Sequence, residues 1–159
     1  MKWQEWLDKW SMKSVKLSAG FAQVEFSPND PDRDAAWDLY VELLTRTTTQ
    51  YLEPEYGDEK TSLESVHALF KLTRDTLKVR GRHCNEFAKI GIIVLNQVVR
   101  PFTSKWHKAS LAGAFEDKKQ CQKFRKELRA LQKDLRKYTK MLADMASVED
   151  LTALEKSDA

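Results

Sequence analysis

The apolar positions of the chain follow two rhythms. At the start, Trp3, Trp6, Leu7 and Trp10 recur at i, i+3, i+4 and i+7, the spacing of one helix face. Val15, Leu17 and Ala19, then Val24 and Phe26, alternate with polar neighbours on either side of Ala19-Gly20. That period of two predicts a short β-hairpin. Beyond the turn-rich stretch SPNDPDRD the helical period takes over. Asp30 as cap, Pro31 at the first helical position, and Asp32 and Asp34 near the positive end of the dipole predict a helix over about 32–52. Trp37, Tyr40, Leu44 and Tyr51 repeat at helical spacing and are expected in the core.

A capping box at Thr61-Ser62-Leu63-Glu64 opens the next helix. Leu63, Val66, Phe70 and Leu77 form its inner face, and Gly81 is its stop. A third helix, from Arg82 or His83, carries Phe87, Ile90, Val94, Leu95 and Val98. It is apolar around most of its circumference, which marks it as central. Pro101 predicts an end or a kink at Arg100, with helix resuming to about Leu111. Over 116–146, Cys121, Phe124, Leu128, Leu131, Leu135, Tyr138, Leu142 and Met145 step by three and four, forming one long seam. Ser147-Val148-Glu149-Asp150, as a further capping box, predicts a short last helix through Leu151 and Leu154. The expected fold is mainly all-α: an up-and-down helical bundle of four to five helices (32–156) with a Trp-rich turn and β-hairpin annex (1–27), one domain over 1–159.

Composition narrows the function. A chain of 159 residues has the size of one domain, and five glycines with four prolines favour long regular elements. Cys84 and Cys121 form no CxxC pair, so they suggest neither a zinc knuckle nor a disulfide scaffold, and both are expected as reduced, packed thiols. His83, Cys84 and Glu86 have no completing ligand pair, so no metal or other cofactor is expected. The N-terminal segment MKWQEWLDKW lacks the apolar core of a secretory leader, and the run Ile90–Leu95 falls well short of the roughly 20 residues that cross a bilayer. A cytoplasmic protein is expected. Glycine-rich phosphate loops, HExxH and G-x-S-x-G are all missing from the sequence, which argues against the chemistries they serve.

The net charge of +3 is unevenly spread: 116–145 carries ten Lys/Arg against five Asp/Glu, leaving the remainder at −2. Arg125, Lys126, Arg129, Lys133, Arg136 and Lys140 lie broadly opposite the apolar seam. Such a stripe suits a phosphate backbone, although no aromatic is interleaved with it to stack bases. A solvated helix face gives the same pattern. Trp3, Trp6 and Trp10 suit a docking interface for a protein partner. With Lys2, Lys9 and Lys13 they also suit a membrane surface, and packing onto the chain's own bundle is the plain alternative.

The stretch NQVVRPFTSKWH, 96–107, follows the most apolar run. Asn96, Thr103, Ser104 and His107 share the helix face of Arg100, with Trp106 beside them, either as a binding stripe or as the solvent edge of a central helix. His67 reads as a partly buried helix residue, and the hydroxyls of TRTTTQ (45–50) as groups that bond back to the preceding turn. The spacing of Arg100 and His107, R-x6-H, resembles the Arg/His motif of the HEPN ribonucleases, helical-bundle proteins that act without metal. The resemblance implies that His107 activates a ribose 2′-hydroxyl, that Arg100 stabilises the charged phosphorane, and that the site is built across a homodimer. Pro101 stands where that family often carries a polar residue. The expected function is a small non-catalytic adaptor subunit that binds another protein, with nucleic acid as a further ligand of the 116–145 helix. A metal-independent ribonuclease using Arg100 and His107 is the alternative.

Overall fold

The computed structural model describes residues 1–154. Seven helices follow in order: α1 (Trp3–Lys9), α2 (Ala19–Ala22), α3 (Asp30–Leu44), α4 (Glu59–Arg80), α5 (Asn85–Val94), α6 (Arg100–Leu111) and α7 (Lys118–Ala146). A 3₁₀ turn at Gly81–Cys84 joins α4 to α5, a π turn at Leu95–Val99 joins α5 to α6, and a 3₁₀ turn at Ala114–Glu116 precedes α7. The fold is all-α. α3 packs on α7, α4 and α5, and α4 also packs on α6. Among the described residues no helix is long and apolar enough to cross a membrane.

The expected β-hairpin is not formed. Among the described residues the sole β pairing outside a strand is an antiparallel bridge of Lys2 with Glu25. The hydroxyl of Ser18 accepts the N–H of Phe21 at 3.4 Å and winds 19–22 into the single turn of α2. The extended residues 24–26 pair instead with the chain start: Trp3 N–H donates to the Val24 carbonyl at 3.0 Å and Phe26 N–H to the Met1 carbonyl at 2.8 Å. The alternation thus yields one bridge residue, Glu25, whose partner lies near the chain start rather than across a turn.

α3 begins with Asn29, not Asp30, as its cap. Asn29 Oδ1 accepts the N–H of Asp32 at 3.0 Å, and Asp32 Oδ2 accepts the N–H of Asn29 at 2.9 Å. The second oxygen of this fully buried carboxylate accepts the N–H of Phe87 at 3.0 Å, which ties the start of α3 to the first turn of α5. The helix stops at Leu44 rather than near 52. Thr45 donates to the Val41 carbonyl, Thr48 and Thr49 both donate to the Leu43 carbonyl at 2.8 and 2.7 Å, and Gln50 donates to that of Leu44. These side chains take the acceptors that a further helical turn would need.

The inner face of α3 is Ala35, Ala36, Leu39, Tyr40 and Leu43. Trp37 lies one step around the helix from the alanines that let α3 approach its neighbours, so it remains 43% exposed instead of entering the core. Leu44 and Tyr51 are half-buried.

Asp58, not the box at 61–64, caps α4, accepting the N–H and the hydroxyl of Thr61 at 2.8 Å each. Gly81, at φ +65°, ends that helix as expected. Pro101 does not end the central rod. The chain passes through the π turn, in which Arg100 N–H reaches the Leu95 carbonyl, and Pro101 falls in the first turn of α6. A first turn requires no donor from the proline, and the wider π ring makes room for the pyrrolidine.

In α7 the residues Phe124, Leu128, Leu131, Leu135, Tyr138, Leu142 and Met145 are buried as the seam predicts, with Cys121 half-buried. The short last helix is not formed. Ser147 adopts φ +57° and closes α7, with Val148 N–H returning to the Ala143 carbonyl, so it serves as a C-terminal rather than an N-terminal cap. Asp150 accepts from Thr152 instead. Residues 155 and 156 of the expected helical span lie outside the described residues.

Candidate functional site

The N-terminal tryptophans are not a surface. Trp3 and Trp6 are fully buried: Trp6 stacks on Phe26 at 4.2 Å and Trp3 packs tilted against Phe21 at 5.1 Å, ring centre to ring centre. The Trp6 indole N–H donates to Asp144 of α7 at 2.8 Å, which docks α1 on the long helix. Trp10 is half-buried under the ammonium of Lys9. Of the three sequence alternatives, packing onto the chain's own helices is the one realised, and neither Trp3 nor Trp6 is available to a partner or a membrane.

The 96–107 face splits in two. Thr103 and Trp106 are buried, Thr103 donating to the Arg100 carbonyl and Trp106 to Glu127 of α7 at 2.8 Å. Trp106 serves the α6–α7 contact and Thr103 bonds back within α6, so both leave the predicted binding set. Asn96, Arg100 and Ser104 are exposed and His107 is half-buried. Nε and Nη2 of Arg100 both donate to Asn96 Oδ1, at 3.2 and 3.1 Å, and the guanidinium lies 4.7 Å from the centre of the Phe70 ring. His107 meets His67 of α4 edge-on at 4.7 Å, and His67 is 5.5 Å from Phe70. The ring of His67 is an exposed member of this cluster rather than a buried one. Desolvation against its neighbours, and then the charges of His107, Arg74 and Arg100, hold its pKa below the ordinary imidazole value. Sequence spacing on one helix could not find His67 or Phe70. They arrive from α4, where Val66, Leu69, Phe70 and Thr73 face inward and leave His67 at the seam with α6.

The cationic helix also divides. Arg125 donates to Glu59 at 2.7 Å and to the carbonyls of Glu53, Tyr56 and Gly57, stapling the loop before α4. Arg136 donates to the Thr49 carbonyl at 3.0 Å, and burial lowers its pKa. Gln132 donates to the carbonyls of Thr47 and Gln50. Arg129 donates to the Tyr51 hydroxyl at 2.8 Å and lies over that ring at 5.1 Å. The arginines thus hold the 45–57 segment against α7, while Lys126 and Lys133 remain exposed and Lys140 half-buried.

Beside this seam runs a groove of about 750 Å³ lined by Lys123, Lys126, Arg129, Lys133, Arg136 and Lys137, with only Glu127 and Asp134 as acids and Tyr51 at its edge. Four of the six predicted nucleic-acid residues line it; Arg125 and Lys140 do not. Lys123, Lys137 and Tyr51 are the additions. Tyr51 supplies an aromatic that the α7 sequence lacks, and it does so because the threonines end α3 early and turn the chain towards α7.

Glu86 accepts from Ser27 and Lys89, and among the described residues no three His, Cys, Asp or Glu side chains are grouped to hold a metal ion. Cys84 and Cys121 are free thiols, the first buried. Compared with family models, with curated proteins and with solved structures, the chain matches none.

Proposed function

We propose that the protein is a non-catalytic binding subunit whose α7 groove holds the backbone of a nucleic acid. One observation carries this reading: six cationic side chains line a single groove against two carboxylates, with Tyr51 at its edge. Neutralising successive phosphates releases counterions, and an aromatic next to cations favours unpaired bases. The architecture behind it is read as an up-and-down bundle of α3, α4, α5–α6 and α7, and the location as cytoplasmic. A protein partner, or a second copy of the chain, is assigned to the face of α3 that leaves Trp37 and Val41 exposed, in place of Trp3 and Trp6. Retention of single-stranded RNA by the full chain, measured across a salt series, tests the reading. Steep weakening with salt that is relieved by Lys126→Glu/Lys133→Glu is the expected result. Undetectable retention at low salt would remove it.

A second reading has its own observation: the contact of His107 with His67 beside Arg100. Two imidazoles near an arginine suit metal-independent cleavage of RNA. One takes the proton of the 2′-hydroxyl, whose oxygen attacks phosphorus; the 5′-oxygen leaves with a proton from the other, giving a cyclic phosphate and a free 5′-hydroxyl. Arg100 stabilises the charge that develops on the phosphoryl oxygens. Incubating RNA with the protein in EDTA, beside His107→Ala, tests it: cleavage by the parent alone supports the reading, and cleavage by both or by neither ends it.

A further inference from the structure

The α4–α6 surface holds an arrangement that points to a ligand whether or not any bond is broken there. Asn96, Arg100, Phe70, His67 and His107 form an unbroken series of contacts across the two helices. The guanidinium is fixed on two sides, by Asn96 Oδ1 at one edge and by the Phe70 ring at its face. Phe70 is itself buried, so this platform is rigid. Among the described residues Nη1 of Arg100 has no protein acceptor, and no carboxylate lies within ion-pair distance of Arg100, His67 or His107. The ion pairs of α4 lie elsewhere, Lys71 with Asp75 and Arg80 with Asp34 and Asp38.

An arginine held in one orientation has already lost most of the side-chain freedom that binding would otherwise remove. The charged groups facing His67 are Arg74 of its own helix and Arg100 and His107 of α6, and all four are basic. Desolvation first, and then that mutual repulsion, depress protonation of His67, and an anion placed among them relieves the repulsion.

We infer that this patch is a binding site for a phosphate group, gripped by the free edge of Arg100 and the imidazole N–H of His67, with His107 as the neighbouring donor. The shared chemistry is a doubly charged phosphate carried either on a free nucleotide or on the end of a nucleic-acid strand. The site lies on helices other than α7, so it stands or falls separately from the groove; it shares Arg100, His67 and His107 with the cleavage reading but requires no bond to be broken.

Proton NMR of the His67 and His107 imidazoles in the full chain tests it. Inorganic phosphate, adenosine 5′-monophosphate, and 5′-phosphorylated and 5′-hydroxyl single-stranded oligonucleotides are the probes. Saturable shifts with inorganic phosphate are expected at neutral pH. Arg100→Gln weakens binding by about tenfold, whereas Lys126→Glu/Lys133→Glu on α7 leaves it unchanged. A preference for the monophosphate over the phosphorylated strand supports the site with a free nucleotide as its source. Preference for the phosphorylated over the hydroxyl strand supports it with a strand end. Absence of saturable shifts with every phosphate, or loss through the α7 variant but not through Arg100→Gln, overturns the inference. Asn96→Ala, which removes the acceptor holding the guanidinium without touching the core, must show the same weakening in a folded protein; unchanged affinity there also overturns it.

Discussion

The two cationic surfaces use opposite strategies. The α7 groove gathers many charges along a helix, and its exposed members Lys126 and Lys133 sit on long flexible stems. The α4–α6 patch has few charges, but its arginine is braced by Asn96 and Phe70. The first suits a repeating polymer of phosphates, where affinity follows the number of contacts and salt competes strongly. The second suits one phosphate, where affinity follows orientation. Within α7 the same division appears on a smaller scale: Arg125 and Arg136 between them fasten loops through several carbonyls, Lys126 and Lys133 face water, and Lys137 reaches one carbonyl, that of Ser11. Forked, planar donors are matched to several carbonyls at once, and point charges are not.

The largest effect that would break this contrast lies in the groove. Lys126→Glu/Lys133→Glu is expected to weaken retention of single-stranded RNA by about 100-fold at low salt and to flatten the log–log salt slope by roughly one to two. A slope equal to that of the parent would mean that the groove is not where the phosphates lie.

Next comes the structural arginine. Arg125→Ala removes the Glu59 ion pair and three loop carbonyl contacts, and is expected to destabilise the fold by about 2–3 kcal/mol in denaturant titration, with Arg125→Lys recovering only part. Full recovery by lysine would erase the distinction drawn between the two kinds of cation.

A smaller effect separates the surfaces by ionic strength. Binding of inorganic phosphate to the α4–α6 patch should weaken no more than about threefold between 50 and 200 mM salt, far less than RNA retention does over the same range. Parallel salt dependences would merge the two sites into one diffuse field.

The smallest is a stability effect. The folded pKa of His67 is depressed, so its neutral form is favoured by folding; its stabilising contribution is present above the unfolded imidazole value near 6.5 and is lost as pH falls below it. His67→Gln should therefore flatten the acid limb of the Tm profile between pH 7 and 5, and an unchanged limb would assign it to other groups.

How far the sequence reached depended on the length of each signal. The α7 seam repeats over many turns, and every one of its positions from Phe124 to Met145 is buried in the structure. The helix starts were displaced by a few residues because Asn29 and Asp58 compete as caps with the neighbours favoured by pattern. Two short patterns failed outright: five alternating residues were outweighed by the hydroxyl of Ser18, and the box at Ser147 by the left-handed end of α7. The candidate sites were half legible. Arg100 and His107, and the cations of α7, stand on single helices where spacing locates them. His67, Phe70 and Tyr51 join them only through tertiary packing, which a one-dimensional period does not contain. The tryptophans show the converse case: an indole's affinity for buried places does not say whose interior it enters, and here Phe21, Phe26 and Asp144 of the same chain receive Trp3 and Trp6.

The π turn at Leu95–Val99 acts as a phase setter for everything downstream. It absorbs one extra residue, which in an unbroken α ladder would swing each side chain from 100 to 111 by about 100° about the axis. Arg100 would leave Phe70, His107 would leave His67, and Trp106 would be wrenched away from Glu127. One wide turn thus keeps a dozen side chains aimed, and an insertion it did not absorb would act on the whole of α6 where a point substitution would alter one position.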